Sequence, residues 1–430
     1  MLKTLQNAWR IPELRKKLMF TLLILLLYRI GNAIVVPYVD TALLASYFDT
    51  TLSNTVLGFY NTMSGSAFSQ ATVLALSIQP YINASIIIQL LTIAIPALER
   101  MQKEEGEAGK KKLQRITRFT TVGLGLLMGT AYTVMLHNYN LLESGTNFLN
   151  YLVIILAFTA GSALVMWMGE QITEFGIGNG ISIILFANII SRLPDNLISL
   201  VTNLSNGTMQ WWGATILLVG IVALVLLIVF INDAERRIPI QYAKRVVGRK
   251  VYGGQNTNLP IKVNMSGVMP VIFAQSIASL PATIFAFTSV QEGVGFWGTV
   301  RSIFETDSWF YAFLYFILIF GFAYFYAAVQ YDPVEISNNL KKNGGFIPGF
   351  RPGKPTADFI AKVIRKITLF GAIYLAIVAL LPIIGGNTIP GVSALGIGGT
   401  SVIIVVGVAL ETVQALEAQM LMRHYKGFLE

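Results

Sequence analysis

Long apolar runs limit what this 430-residue chain can fold into more than any other feature does. Crossing a bilayer core takes ~20 apolar residues in a helix. Runs of about that length lie near residues 18–37, 73–97, 117–138, 149–169, 212–232, 267–289, 308–330, 367–384 and 396–416. A tenth, Gly180 to Leu200, is weaker, because only Ile181–Ile190 is strongly apolar before "SRLPDN" intervenes. Charged residues make up 12% of the chain, where an ordinary soluble protein carries ~25%. The pattern predicts an all-α polytopic membrane protein. The basic, amphipathic start MLKTLQNAWRIPELRKKL leads into a run too long for a signal peptide, with no small-residue cleavage site after it. It reads as a retained first span with no transit peptide before it.

Charge decides the weak run. With ten spans and the N-terminus inside, the inner segments are residues 1–17, 98–118, 170–179, 233–266, 331–366 and the C-terminal tail. They hold all of the 31 Lys and Arg except Arg29, Arg192 and Arg301. Without the weak span, everything after it inverts and loops 233–266 and 331–366 move outside. Membrane proteins keep their Lys and Arg on the cytoplasmic side, so ten spans are expected, with both termini cytoplasmic. A break near 201–211 divides them into residues 1–205 and 206–430, five spans each. An odd number per half sets the halves in opposite orientations, as in inverted-repeat transporters and channels. This rests on parity and spacing, since no internal sequence repeat accompanies it.

The chemistry of an enzyme is missing. The chain has no cysteine, hence no disulfide, thiolate metal site or cysteine nucleophile. Its two histidines, His137 and His424, fall on opposite faces of the expected topology. "GIGNG" (Gly176–Gly180) lacks the GxGxxG spacing and the preceding strand of a nucleotide site, and reads as a turn that starts span five. Mid-depth carboxylates or histidines, the mark of ion-coupled carriers, are absent: Glu170, Glu411 and Glu417 lie near cytoplasmic ends. Arg29 is mid-span, in a buried structural pair or snorkelling to an interface. No enzyme, cofactor or metal is expected.

Span two carries polar marks that lipid would not select. In "IQPYINASIIIQLL", Ile78, Ile82, Ser85 and Gln89 fall within about 60° of one another on a helix, and Gln79 and Asn83 form a second, polar strip. Pro80 removes a backbone donor, so the freed carbonyl needs a neighbouring helix or a wet cavity. Span seven, "NMSGVMPVIFAQSIASLPATIF", repeats the pattern with Pro270, Pro281, Gln275 and Ser276. Either these polar groups bond between helices or they line a pathway. Residues 38–72 include "LGFYNTMSGSAF", too short to cross, which is a re-entrant piece or a surface loop.

The blocks "QPYINASIIIQLL", "GEQITEFGIGNGISII", "RRIPIQYAKR", "LPIKVNMSGVMPVIFA", "NNLKKNGGFIPGFRPG" and "GGTSVIIVV" run in order along nearly the whole chain. They closely resemble the SecY family, the central subunits of the bacterial protein-conducting channel. The chain departs from the family's usual "ALGI" with "ALSI" at Ser77, from "FSGGAL" with "MSGSAF", and in its terminal tail. The resemblance implies a clamshell of two inverted five-helix halves around a central pore. It implies a pore ring of Ile78, Ile82, Ile181, Leu185, Ile272 and Ile404, an apolar collar that dewets and blocks ions yet deforms around a passing chain. It implies a plug at about residues 57–68, including Gly58, Tyr60, Met63, Ser64 and Gly65. Spans two and three against seven and eight would form a lateral gate with Asn83, Gln89, Gln275 and Ser276.

The two long basic loops then acquire a second meaning beside orientation. The resemblance implies that Lys244, Arg245, Arg249, Lys250, Lys341, Lys342 and Arg351 dock the motor ATPase SecA or the ribosome, whose RNA attracts basic loops. The implied partners also include the small membrane subunits SecE and SecG, signal peptides and preproteins, and the lipid bilayer. The implied location is the bacterial cytoplasmic (inner) membrane. The reading from another class is an inverted-repeat transporter of small solutes, which would need the mid-depth charged or metal site that is missing.

Overall fold

The structure is a computed structural model that describes residues 2–48, 56–103, 106–143, 147–207, 210–242, 245–247, 250–252, 256–287, 295–305, 308–388 and 399–426. The chain opens with α1 (Leu2–Arg10) and α2 (Pro12–Gly31). Pro12 suits the first turn, where a missing N–H breaks no helical bond. After α3 (Thr41–Tyr47), capped by the Asp40 carboxylate, comes the short α4 (Val56–Ser64). Residues 65–78 then run in successive turns and are mostly buried. They are pinned where Val36 N–H donates to the Ala71 carbonyl (3.0 Å) and Val73 N–H to the Ile34 carbonyl (2.9 Å). A side chain at Gly161 would run into the Val73 carbonyl, so glycine there lets this segment lie against a neighbouring helix.

The apolar run predicted as a span from residue 73 therefore becomes helical only at α5 (Gln79–Ala94). The cause is local. Proline is costly in a helix interior but fits its first turn, so Pro80 sets the start and Ile78 becomes the N-cap. At Ile95 the chain bends by 105° into α6 (Pro96–Lys103), again with proline first.

The long helices α7 (Gly106–Asn138) and α8 (Phe148–Phe175) follow, then α9 (Gly180–Ser191) and α10 (Leu193–Ser205). The "GIGNG" stretch is the turn between α8 and α9, and Asn179 caps α9 by accepting from Ile181 N–H. The run Gly180–Ser205 is long and apolar enough to cross a membrane, which agrees with the span that charge required. It is followed by α11 (Trp211–Asp233).

The two basic loops contain strands that hydropathy did not signal. β1 (Glu235–Tyr242) pairs antiparallel with β4 (Asn256–Lys262), and a hairpin of β2 (Arg245–Val247) and β3 (Lys250–Tyr252) lies between them. Next come α12 (Met269–Phe287), α13 (Gly295–Phe304), α14 (Trp309–Gln330) and α15 (Pro333–Lys342). β5 (Gly345–Phe346) completes a three-stranded sheet in the order β4-β1-β5, before α16 (Lys354–Thr388) and α17 (Gly399–Lys426). Ile238, Ile240 and Ile261 of the sheet share a small core with Leu340, Ile347, Ile360 and Ile364.

Among the described residues seven helical stretches are long and apolar enough to cross a membrane, or eight if α5 and α6 count as one broken span. The two other predicted spans are also helices but shorter in apolar length. α2 begins with the basic turn PELRKK, and the described apolar part of α12 is Met269–Phe285. In one group α8 packs on α2, α7 and α9, and α7 on α5; in the other α11, α17, α16, α14 and α12 pack in succession. The groups meet where α9 touches α17 and where α12 touches α4, α5 and α7.

Candidate functional site

The six apolar residues implied as a ring come from four helices. Ile78 caps α5 and Ile82 lies in its first turn, Ile181 and Leu185 are on α9, Ile272 is on α12 and Ile404 on α17. Each sits within two turns of its helix's start. All but Ile181 are buried in one apolar cluster, and Ile181 is half-buried against it. Large branched side chains gathered this way exclude water through dispersion contacts that any polar replacement would weaken.

The segment implied as a plug is α4 with the turns after it. Leu57, Tyr60, Met63, Ser64 and Gly65 are buried, Gly58 is half-buried, and Met63 joins the same apolar cluster as the ring residues. Thr283 of α12 donates to the Tyr60 hydroxyl (3.5 Å), and the Tyr132 hydroxyl of α7 donates to the Phe68 carbonyl (2.6 Å). The backbone is left-handed at Gly65 (φ 65°), Ser66 (72°), Ala71 (44°) and Ser77 (48°). Non-glycine residues enter that region only at a cost. At Ser77 the hydroxyl lies 3.2 Å from the Tyr28 hydroxyl in a buried contact, so this departure from the family's glycine is hydrogen-bonded. Sequence reasoning missed the groups behind this segment. They are Asn188, whose Nδ2 donates to the Met63 carbonyl (2.8 Å) and the Tyr28 hydroxyl (2.9 Å), and Asn32, which donates to the Ser64 carbonyl (3.3 Å). An amide inside the apolar "ISIILFANIIS" was the signal to follow.

The four residues implied as a gate divide. Gln89 alone bonds across the two helix groups, its Oε1 accepting from the Tyr326 hydroxyl of α14 (2.8 Å). Asn83 stays within its group, with Nδ2 4.0 Å from Met128 Sδ of α7. Gln275 donates to the Tyr311 hydroxyl of α14 (2.7 Å), and Ser276 to the Ile272 carbonyl of its own helix (2.9 Å). Arg29 is exposed at the last turn of α2, where a cation suits the helix C-terminus. The buried-pair alternative for it is not what the structure shows.

Of the implied docking residues, Lys341 and Lys342 are exposed in the last turn of α15. Arg351 is exposed too, on a loop held by Thr356 donating to its carbonyl (2.8 Å) and by Ser337 donating to the Gly353 carbonyl (2.8 Å). Arg245 and Lys250 open β2 and β3. Lys244 and Arg249 lie outside the described residues. The sheet brings the two basic loops together, since Gln241 and Tyr242 pair with Phe346 and Gly345.

These features define a multi-span helical membrane protein closed by apolar packing between two groups of helices. The SecY family profile matches residues 72–413. The protein translocase subunit SecY of Streptomyces coelicolor is 43% identical over 441 residues, with 100% of both chains covered. The subunit of Thermotoga maritima is 40% identical, covering 100% of this chain and 98% of that one. A solved protein-conducting channel superposes with a TM-score of 0.65 at 18% identity, over 94% of this chain and 92% of the other. A SecY structure concerned with how its plug domain stabilises the closed channel and maintains a membrane seal gives 0.66 at 20% identity, with the same coverage. The chain belongs to the SecY family and is a non-enzymatic, protein-conducting channel subunit of the Sec translocase. The solute-transporter reading falls with that assignment.

Proposed function

We propose that the chain passes unfolded preproteins across the bacterial cytoplasmic membrane, and releases transmembrane segments sideways into it. The energy comes from SecA or the ribosome bound at the basic loops, and SecE and SecG accompany it in the membrane. Residues 1–205 and 206–430 act as two inverted halves that part along α5 and α7 against α12 and α14. The ring residues close around the passing chain, and residues 57–68 seal the outer funnel when it has gone.

The observation that carries this reading is the gathering of Ile78, Ile82, Leu185, Ile272 and Ile404 from four helices into one buried apolar cluster. Such a collar resists ions because it dewets, and lets a chain slide because it offers no bond to hold it. The ribosome reading is supported by fold likeness to Sec61 in a canine ribosome-channel complex and to a yeast Ssh1 complex bound to the 80S ribosome. The absence of native cysteine gives the test a clean background. Single cysteines at 78, 82 and 404 should each crosslink to a secretory chain arrested in transit. Crosslinks only from an outward position such as Leu226 on α11 would remove the pore from this place.

A further inference from the structure

Asn188 has no exposed surface, although it sits on the apolar α9. A buried amide is costly inside a membrane unless its bonds are met. Its two Nδ2 hydrogens are met by the Met63 carbonyl and the Tyr28 hydroxyl, with Ser77 Oγ at 3.5 Å beside them. Asn32, at the C-cap of α2, holds the next carbonyl, that of Ser64, and Arg192 Nη1 donates to Thr62 Oγ1 (3.1 Å). Three consecutive residues of α4, 62 to 64, are thus held from the C-cap of α2 and from α9 and its C-cap. The Met63 and Ser64 carbonyls belong to the last turn of α4, where a helix leaves its acceptors without internal partners. The helix's own C-cap, Ser66 N–H to the Asn61 carbonyl (2.9 Å) and Gly65 N–H to the Thr62 carbonyl (3.2 Å), stops short of these two, so side chains from other helices meet them.

We propose that Asn188, with Tyr28 and Asn32, is a latch: a set of positioning residues that keeps the end of α4 docked and so keeps the resting channel shut. Opening must break these bonds together, because each is directional and is lost within about an ångström of movement. Two features make the latch reversible. The Asn188 Oδ1 and Asn32 Oδ1 atoms are buried without a hydrogen-bond partner, and hydration on opening would relieve them. Each bond is also weak in net terms, because the freed carbonyls of α4 would meet water in an open funnel. The latch goes beyond the ring and plug assignments but rests on reading residues 57–68 as the plug.

The experiment measures resting ion conductance of the substrate-free channel, reconstituted with its membrane partners in planar bilayers. Alongside it, a cysteine placed by Gly58→Cys is labelled from the outer side with a membrane-impermeant maleimide. Asn188→Leu keeps the shape and removes the donors, and should raise conductance and labelling rate about tenfold. Tyr28→Phe removes one hydroxyl and should raise both about threefold. If Asn188→Leu does not assemble, Tyr28→Phe decides alone. Unchanged conductance and labelling in these variants, in a channel that does leak when residues 57–68 are deleted, overturns the latch and leaves the plug. A deletion that does not leak overturns both. A fall in thermal stability without a gain in labelling makes Asn188 a packing residue and also overturns the latch.

Discussion

Gly65 shows how tightly residues 57–68 are specified by their surroundings. Its φ of 65° is a region where a β-carbon is strained, and that carbon would lie 3.1 Å from Asn188 Oδ1 and 3.2 Å from Arg29 Nη1 and Ser191 Oγ. Gly65→Val should therefore cost about 1–2 kcal/mol from backbone strain alone, and the segment should undock to avoid the clash. The measurement is resting conductance, with a rise expected and little change in the melting of the helical bundle. Ile404 gives the corresponding test of the collar. It is fully buried among apolar partners, so Ile404→Asn introduces an amide that holds water where the collar should stay dry. Resting conductance should rise, and a value equal to the parent's would take Ile404 out of the ring.

Between elements, α5 and α14 are joined among the described residues by the hydrogen bond from Tyr326 to Gln89, beside the aromatic contact of Tyr326 with Phe273. Interhelical bonds in membranes contribute roughly 0.6–2 kcal/mol, which is small enough for a passing hydrophobic segment to replace. Tyr326→Phe should make sideways exit easier, read as a greater membrane-inserted fraction of a marginally hydrophobic test segment. Unchanged partitioning would move the gate elsewhere. Gln275 is different. It bonds within its own group of helices, so the two glutamines that the resemblance grouped have partners on different sides of the seam. Spacing places a residue on a helix face and is silent about which neighbour that face meets.

Over the whole molecule, the sheet β4-β1-β5 binds the two basic loops into one body with a core of its own. Arg351, Lys341 and Lys342 are carried on that body rather than on independent loops. Arg351→Glu should weaken SecA or ribosome binding while leaving the assembled channel intact, and the defect should shrink as salt rises, because screening shortens the reach of exposed charges. Affinity measured at two salt concentrations checks this; equal binding by variant and parent would confine Arg351 to topology. The strands escaped the sequence reading because ERRIPIQY buries only Ile238 and Ile240 well, too few alternations to stand out among charges.

The sequence by itself determined the class, an all-helical multi-span membrane protein. Hydropathy is a local property and a bilayer reads it directly, and the distribution of Lys and Arg pointed to the weak run Gly180 to Leu200 as a span, where the helical stretch Gly180–Ser205 is long and apolar enough to cross. The Ile78 and Ile82 stripe was legible from helix geometry, and the two basic loops from their Lys and Arg. Pro80 is a local signal for the start of α5 at Gln79, but only the tertiary structure decided that the apolar run before it folds into buried turns. Only it decided that Gln89 meets Tyr326, and that Asn188 holds Met63 and Tyr28. The physical reason is separation along the chain. Asn188 stands 125 residues from Met63 and 160 from Tyr28, and no periodicity reaches that far. A lone amide in an apolar helix announces that it needs a partner, and packing alone chooses which.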